Sequence, residues 1–83
     1  MSQPESSVFE VVKSNILGVM IDLDPGEITP DANLTDLGAN SVDRVEIAIN
    51  SMADLGVKVP REQLQGIANI RGLVEVLERY ANH

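Results

Sequence analysis

The sequence contains no cysteine, and its one histidine is the last residue, His83. Without cysteine there is no disulfide, no thiolate nucleophile and no cysteine-ligated zinc site. A serine hydrolase needs a histidine held within hydrogen-bond reach of its serine, and a terminal residue is poorly held. No Gly-x-Ser-x-Gly sequence is present either. We therefore expect a protein that is not an enzyme.

Aromatic residues and long apolar runs are also scarce. Phe9 and Tyr80 are the aromatic side chains, and no apolar run approaches the roughly 20 residues that cross a bilayer. Apolar residues still make up 43% of the chain, which is ordinary for a globular domain with an aliphatic core. The first residues lack the basic and apolar regions of a signal peptide. We expect a cytoplasmic monomer in which residues 1–6 form a flexible N-terminus and residues 7–81 form one folded domain.

Positive charge is scarce as well, because 6 basic residues face 13 acidic ones and give a formal net charge of -7. Such a surface repels phosphate backbones and anionic lipids, so we expect neither nucleic-acid nor membrane binding. Carboxylates crowd one stretch, at Asp22, Asp24, Glu27 and Asp31. Hard cations take oxygen ligands, but Gly26 and Glu27 stand where a calcium loop needs an acid and a glycine. We interpret this stretch as a solvated acidic loop without a metal.

Apolar residues recur every three or four positions near the N-terminus, as in an amphipathic helix. The stripe comprises Val8, Val12, Ile16, Val19 and Leu23, widened by Phe9, Met20 and Ile21. Ser6 or Ser7 is a suitable N-cap for this first helix. Pro25-Gly26 should end it, because proline cannot continue a helix.

A long connection over residues 24–40 follows the first helix. Its apolar residues, Ile28, Leu34 and Leu37, are placed to pin it to the helices. We expect residues 34–38 to form a helical turn closed by Gly38. Ordered connections of this length are often functional.

The second helix should run over Ser41–Leu55 and end at Gly56. Its expected buried stripe is Val42, Val45, Ile49, Met52 and Leu55. Residues 57–59 alternate in hydropathy, but without a second strand to pair with they are expected to form an extended link.

Two further helices are expected in the C-terminal part. Pro60 should open a short helix over residues 61–66, and Asn69 should cap a last helix. The stripe of that last helix is Ile70, Leu73, Val74, Leu77 and Tyr80. The sequence therefore predicts an all-α four-helix bundle, with three main helices, a short third helix and a long loop between helices 1 and 2.

Ser41 stands at the start of the second helix, and the local physics allows two interpretations of it. In one, Asn40 or Ser41 is a helix cap. With Asn40 as the N-cap, Asp43 falls three residues into the helix, where a carboxylate suits the exposed backbone N–H groups. In the other, the Ser41 hydroxyl faces solvent and is a covalent attachment point, since a helix N-terminus favours phosphate. The local physics alone favours the cap.

Residues 37–43, Leu-Gly-Ala-Asn-Ser-Val-Asp, resemble the attachment motif of acyl carrier proteins, a Gly-x-Asp-Ser-Leu type sequence. Glu46 one turn beyond the serine, the punctuated first loop, the short third helix and Asn69-Ile70 also fit that family. The resemblance covers about residues 7–80. It implies that the folded domain expected over residues 7–81 is an acyl carrier domain. It implies that Ser41 carries 4'-phosphopantetheine, added from coenzyme A by a phosphopantetheinyl transferase. The terminal thiol of this arm would hold acyl groups as thioesters.

Two positions depart from the family pattern. Asn40 replaces the usual aspartate before the serine, and Val42 replaces the usual leucine after it. Arg44 makes the second helix less acidic than in fatty-acid carriers. The segment over residues 38–47 looks most like stand-alone carriers of bacterial polyketide pathways. More narrowly, it is similar to the donor carriers of β-branching cassettes, which deliver acetyl to a hydroxymethylglutaryl-type synthase.

The resemblance implies an acetyl or malonyl cargo. Expected partners are the transferase, an acyl-loading enzyme, and the synthase or other polyketide enzymes. The expected recognition residues are Asn40, Val42, Asp43, Arg44, Val45 and Glu46. Two rival interpretations remain. One is a peptidyl or aminoacyl carrier with the same arm and fold, and the other is an unmodified helical adaptor for a basic partner.

Overall fold

The computed structural model describes the backbone of residues 4–67 and 69–81, and the side chains from Ser7 onward. Within these residues the chain forms α-helices and no strand. The helices are α1 (Pro4–Val19), α2 (Ser41–Leu55), α3 (Arg61–Leu64) and α4 (Ile70–Ala81). A 3-10 turn, Pro25–Glu27, lies in the connection between α1 and α2. The predicted all-α bundle with a short third helix and a long first loop is confirmed.

The N-terminus of α1 lies earlier than the sequence predicts. The helix begins at Pro4, so the backbone of Ser6 and Ser7 is helical and the prediction that one of them is the N-cap is wrong. Proline is tolerated in the first turn because an N–H there has no partner within the helix. The flexible N-terminus over residues 1–6 stays a prediction, and residues 1–3 lie outside the described part, as does His83.

The C-terminus of α1 also lies earlier than predicted. The helix ends at Val19, and not at Pro25-Gly26. Ile21, predicted to widen the buried stripe, is instead 81% exposed, because the chain has already left the helix. The central part of the stripe is confirmed. Its buried members are Val8, Val12 and Ile16.

The long connection is held against the bundle at both the side-chain and the backbone level. Ile28 and Leu34 are buried and Leu37 packs against the core, as predicted. The first N–H groups of α4 are satisfied by this connection, since Ile70 N donates to Ala32 O at 3.0 Å and Arg71 N to Pro30 O at 2.9 Å. The N–H groups at the start of α4, which have no acceptor within the helix, therefore bond to carbonyl groups of the loop.

The bounds of α2 agree with the prediction, but its buried face agrees only at Met52 and Leu55, which are half-buried and pack against the core. The buried residues are Ile47, Ala48 and Ser51. Val42, Val45 and Ile49, which the sequence placed in the core, are 68%, 54% and 52% exposed. The small side chains of Ala48 and Ser51 contribute little apolar signal. Ser51 nevertheless lies on the buried face, where it contacts Asn15 of α1.

The rest of the chain folds largely as predicted. Gly56 ends α2 with a left-handed φ of 69°, and residues 57–59 form neither a helix nor a strand. The α3 helix stops at Leu64, two residues before the predicted end. Asn69 caps α4, where its Oδ1 accepts a hydrogen bond from Gly72 N at 2.9 Å. The predicted stripe of α4 is buried at Ile70, Leu73, Val74 and Leu77, and half-buried at Tyr80.

A polar contact crosses the α1–α2 interface. The Asn15 side-chain nitrogen donates to Ser51 Oγ at 3.3 Å and to Asp54 Oδ2 at 3.0 Å. Ser51 is fully buried, so its hydroxyl oxygen depends on this donor. The contact fixes how α1 lies along α2.

Candidate functional site at the start of α2

The backbone before Ser41 is shaped by a helical turn over residues 34–38, as predicted. Ala39 N donates to Leu34 O at 2.9 Å, and Gly38 between them has a φ of 104°. That φ lies in the left-handed region, which glycine adopts without a Cβ penalty. Ala39 is then buried at 5% exposure, which anchors the chain immediately before the helix. The turn and this anchor bring Ser41 to the end of the bundle at a fixed position.

The first turn of α2 is closed by two residues that flank Ser41. Asn40 Oδ1 accepts a hydrogen bond from Asp43 N at 2.8 Å, and Asp43 Oδ2 accepts one from Asn40 N at 3.3 Å. Asn40 is therefore the N-cap, as one interpretation of the sequence had it, and with Asp43 it forms a capping box. Because Asn40 supplies the cap, the Ser41 hydroxyl is not required for it. Ser41 is exposed, as expected for an attachment point.

The environment of Ser41 is suited to an anionic group. The backbone N–H groups of the first helical residues have no intrahelical acceptor, and the cap occupies one of them, at Asp43. The remaining N–H groups and the helix dipole favour negative charge at this position. A phosphodiester on Ser41 thus fits the residues that are present.

A surface groove of about 640 Å³ begins beside Ser41. Its walls come from the first loop, α2, α3 and the start of α4. The apolar lining includes Leu34, Val45, Ala48, Ile49, Met52, Val59, Leu64, Ile67 and Leu73. The volume lies within the usual range of small-ligand sites, about 300–1,000 Å³. This groove could not be predicted from the sequence, because its walls are formed by segments far apart in the chain.

One side of the groove is tied together by an unusual contact. The backbone N–H of Val59 points at the Met52 sulfur, with an N to S distance of 3.3 Å. Thioether sulfur is a weak acceptor, but this contact fastens the link of residues 57–59 to α2. The link therefore serves as one wall of the groove and leads directly into α3.

Positive charge is concentrated at this groove although the chain as a whole is acidic. Arg44 and Arg61 both line it. Arg44 Nη1 donates to Thr35 Oγ1 at 3.3 Å, which joins α2 to the turn before it. The Arg71 guanidinium, by contrast, pairs with Asp31 at 3.0 Å, away from the groove lining.

The predicted recognition residues divide into two kinds. Asn40 and Asp43 are engaged in the capping box. Val42, Arg44, Val45 and Glu46 are exposed. Val42, Val45 and Ile49 together give α2 an exposed apolar face. The apolar pattern had placed all three in the core, although Val42 and Val45 were also predicted as recognition residues. The signal available in the sequence was the competing stripe of Ile47, Ala48 and Ser51, offset from the chosen one.

The described residues offer neither a metal site nor a membrane-spanning helix. No group of three or more His, Asp or Glu side chains there is placed to hold a metal ion. No helix of the described part is long and apolar enough to span a bilayer.

Comparison with known proteins places these features in a family. A family model described as a phosphopantetheine attachment site matches residues 14–77. The polyketide biosynthesis acyl carrier protein AcpK of Bacillus subtilis is 46% identical over 70 residues, which is 84% of this chain and 85% of the relative. The chain belongs to the acyl carrier protein family. Members of this family hold 4'-phosphopantetheine as a covalent prosthetic group.

Further relatives of this carrier agree in length and in fold. An acyl carrier protein of Helicobacter pylori is 32% identical over 73 residues, which is 87% of this chain and 92% of the relative. Among solved structures, one similar to this carrier is that of the HMG synthase of the curacin biosynthetic pathway in complex with an acetyl-donor acyl carrier protein. That match has a TM-score of 0.82 and 30% identity, and covers 95% of this chain and 99% of the other.

Proposed function

We propose that this carrier holds acetyl or malonyl thioesters on a 4'-phosphopantetheine arm attached to Ser41. It presents them to enzymes of polyketide biosynthesis, as the acetyl donor to a hydroxymethylglutaryl-type synthase in β-branching. The observation that carries this proposal is the exposed Ser41 hydroxyl, which is bracketed by a cap formed without it. The donor role is supported by the similarity to AcpK and to the curacin complex.

Ser41 is favoured as the attachment residue over Ser14 and Ser51 by what surrounds each of the three. Ser51 is fully buried and contacts Asn15. Ser14 is exposed, but it lies in the interior of α1, beyond the first turn in which backbone N–H groups lack helical partners. Ser41 is the exposed serine at the first residue of a long helix, where free backbone N–H groups favour a phosphodiester.

The chain's own part in the chemistry is to bind and present. The arm, when attached, supplies a thiol that forms thioesters. The backbone turn over residues 34–40 fixes the attachment point. The groove of about 640 Å³ next to Ser41 offers apolar walls beside the arm. A non-catalytic role is part of the proposal, in line with relatives that are carriers.

The proposed recognition face is the exposed side of α2 next to Ser41. Val42 and Val45 supply apolar contact area to a partner, and Glu46 supplies negative charge. Asn40 and Asp43 act on the partner indirectly, by holding the first turn in place. Transient carrier complexes are expected to be small and electrostatically steered. This face would bind three enzymes in turn: a phosphopantetheinyl transferase, an acyl-loading enzyme and the synthase. The carrier would act as a cytoplasmic monomer.

Loading and delivery can be tested in one experiment. The carrier is charged by a broad-specificity phosphopantetheinyl transferase with acetyl-coenzyme A, and then mixed with a hydroxymethylglutaryl-type synthase and an acceptor carrier bearing acetoacetate. Intact mass spectrometry follows the acetyl group. We expect the acetyl mass to leave this carrier only when the synthase is present. Retention of acetyl, with a genuine donor carrier active in parallel, would contradict the donor role.

The same assay separates the rival interpretations. An aminoacyl carrier would be loaded by an amino-acid-activating enzyme and would not deliver acetyl. An unmodified adaptor would gain no mass at all, and Ser41→Ala would leave its function intact. The similarity to the curacin donor complex favours the acetyl donor over both.

A further inference from the structure

The Arg44 side chain points back toward the residue that carries the proposed arm. Side chains on a helix lean toward its N-terminus, and residues three apart lie on one face with Cβ atoms about 5–6 Å apart. Ser41 and Arg44 have this spacing in α2. The contact from Arg44 Nη1 to Thr35 Oγ1, at 3.3 Å, shows that the guanidinium reaches N-terminally into the turn that precedes Ser41.

The acceptor that Arg44 uses here is a neutral hydroxyl. No carboxylate in the described part of the chain forms an ion pair with it, although the chain has 13 acidic residues. A guanidinium offers five donors in a planar fork. One contact to Thr35 leaves most of these donors available. Bonds from a guanidinium to an anionic oxygen are about twice as strong as bonds to a neutral one.

Ser41, Thr35 and Arg44 all line the same end of the groove. A phosphodiester on Ser41 Oγ therefore lies within reach of the Arg44 guanidinium. The hydrogen bond from Arg44 to Thr35 competes only weakly with binding to that phosphate. Asp36, the neighbouring carboxylate in the turn, is exposed and lacks that shared position in the groove lining. Arg61, the other cation of the lining, belongs to α3 and has no fixed spacing to Ser41 along a helix.

We propose that Arg44 binds the phosphodiester of the arm on Ser41 and directs the arm along the groove, so that attachment of the arm moves the guanidinium from Thr35 to the phosphate. This inference rests on the proposed function, because it requires Ser41 to be the attachment point. It assigns Arg44 a positioning role within the carrier itself, in addition to any contact with a partner. Arginine suits this role better than lysine, because its fork matches two phosphate oxygens.

The test uses the isolated holo-carrier, with no partner enzyme. Mass spectrometry first establishes that wild type, Arg44→Gln, Arg44→Lys and Thr35→Val each gain the arm. The ³¹P resonance of each is then compared with that of a short phosphopantetheinylated peptide of residues 37–45. We expect a displaced resonance in wild type, a position close to the peptide in Arg44→Gln, and an intermediate one in Arg44→Lys. The wild-type displacement should shrink in about 1 M salt, where the screening length is near 3 Å.

The Arg44 Nε–H signal gives a second readout, and Thr35→Val is the matched control. The signal should shift between apo and holo wild type. The valine variant should keep the ³¹P displacement, because it removes only the competing acceptor. Equal ³¹P positions in wild type and Arg44→Gln, an unmoved Nε–H signal, or a loss in Thr35→Val as large as in Arg44→Gln would overturn the inference. Absence of the mass gain in wild type would instead overturn the proposed function.

Discussion

Asn40 and Asp43 cap each other across Ser41. Asn40 Oδ1 accepts from the Asp43 backbone at 2.8 Å, and the Asp43 carboxylate accepts from the Asn40 backbone at 3.3 Å. The capping of α2 is therefore performed by Asn40 and Asp43, and the exposed Ser41 hydroxyl is not required for it.

Removal of the cap should lower stability without removing the attachment point. Asn40→Ala loses the acceptor for Asp43 N, and such losses cost about 1 kcal/mol, in a range of about 0.5–2. Asn40→Asp keeps the acceptor and should stay within about 0.5 kcal/mol of wild type, since an added negative charge suits the helix start. Urea unfolding followed by circular dichroism measures both. Asn50→Ala, an exposed asparagine later in α2, is the control and should change little.

The buried face of α2 can be tested with a matched pair of isoleucines. Ile47 is fully buried and Ile49 is 52% exposed. Ile47→Ala should cost about 2–5 kcal/mol in the free energy of unfolding. Ile49→Ala should lie within about 0.5 kcal/mol of wild type, as surface substitutions do. Equal costs for the two variants would contradict the observed orientation of the helix.

The bounds of α2 and its buried face differ in how well they can be predicted from the sequence. The bounds of α2 were predictable because Asn40 and Gly56 are explicit start and stop signals that act through local geometry. The face of α2 was not predictable in the same way. Its buried residues include Ala48 and Ser51, which add little to the apolar pattern, and Ser51 contacts Asn15 of α1. Contacts with other parts of the fold therefore determine which face of α2 is buried. The large apolar residues at helical spacing include Val42, Val45 and Ile49, which lie on the exposed side.

In the candidate site, too, the local features could be predicted from the sequence and the long-range ones could not. Ser41 and its cap could be derived from a short segment, because all the interactions there lie within four residues. The groove could not, since residues of the first loop, α2, α3 and α4 meet only in the folded chain. The early end of α1 was missed because apolar residues continue past Val19 in a region that is already a turn.

The polar contact between α1 and α2 should be strongly coupled. Asn15→Ala leaves the buried Ser51 hydroxyl without its donor, and an unsatisfied buried group costs about 1–3 kcal/mol. Ser51→Ala removes the need for that donor. We therefore expect the double variant to be less destabilised than the sum of the two single variants. Additive costs in a double-mutant cycle measured by urea unfolding would show that the two side chains act independently.

Charge reversal on the recognition face should slow delivery without unfolding the carrier. Glu46 is exposed on α2, so Glu46→Lys should leave the urea midpoint nearly unchanged. It should reduce the rate of acetyl transfer to the synthase, mainly through slower association and most clearly at low salt. Glu75→Lys, an exposed glutamate on α4, makes the same change in net charge and should have a smaller effect. Equal effects of both variants would point to overall charge and not to a face on α2.

The measurement that tests the central claim most directly is the intact mass after incubation with coenzyme A and a broad-specificity phosphopantetheinyl transferase. Wild type, Ser41→Ala and Ser14→Ala are run side by side, the last as an exposed serine on another helix. We expect wild type and Ser14→Ala to gain one phosphopantetheine and Ser41→Ala to gain none. No gain in folded wild type, or an undiminished gain in Ser41→Ala, would contradict the assignment of Ser41 as the attachment point.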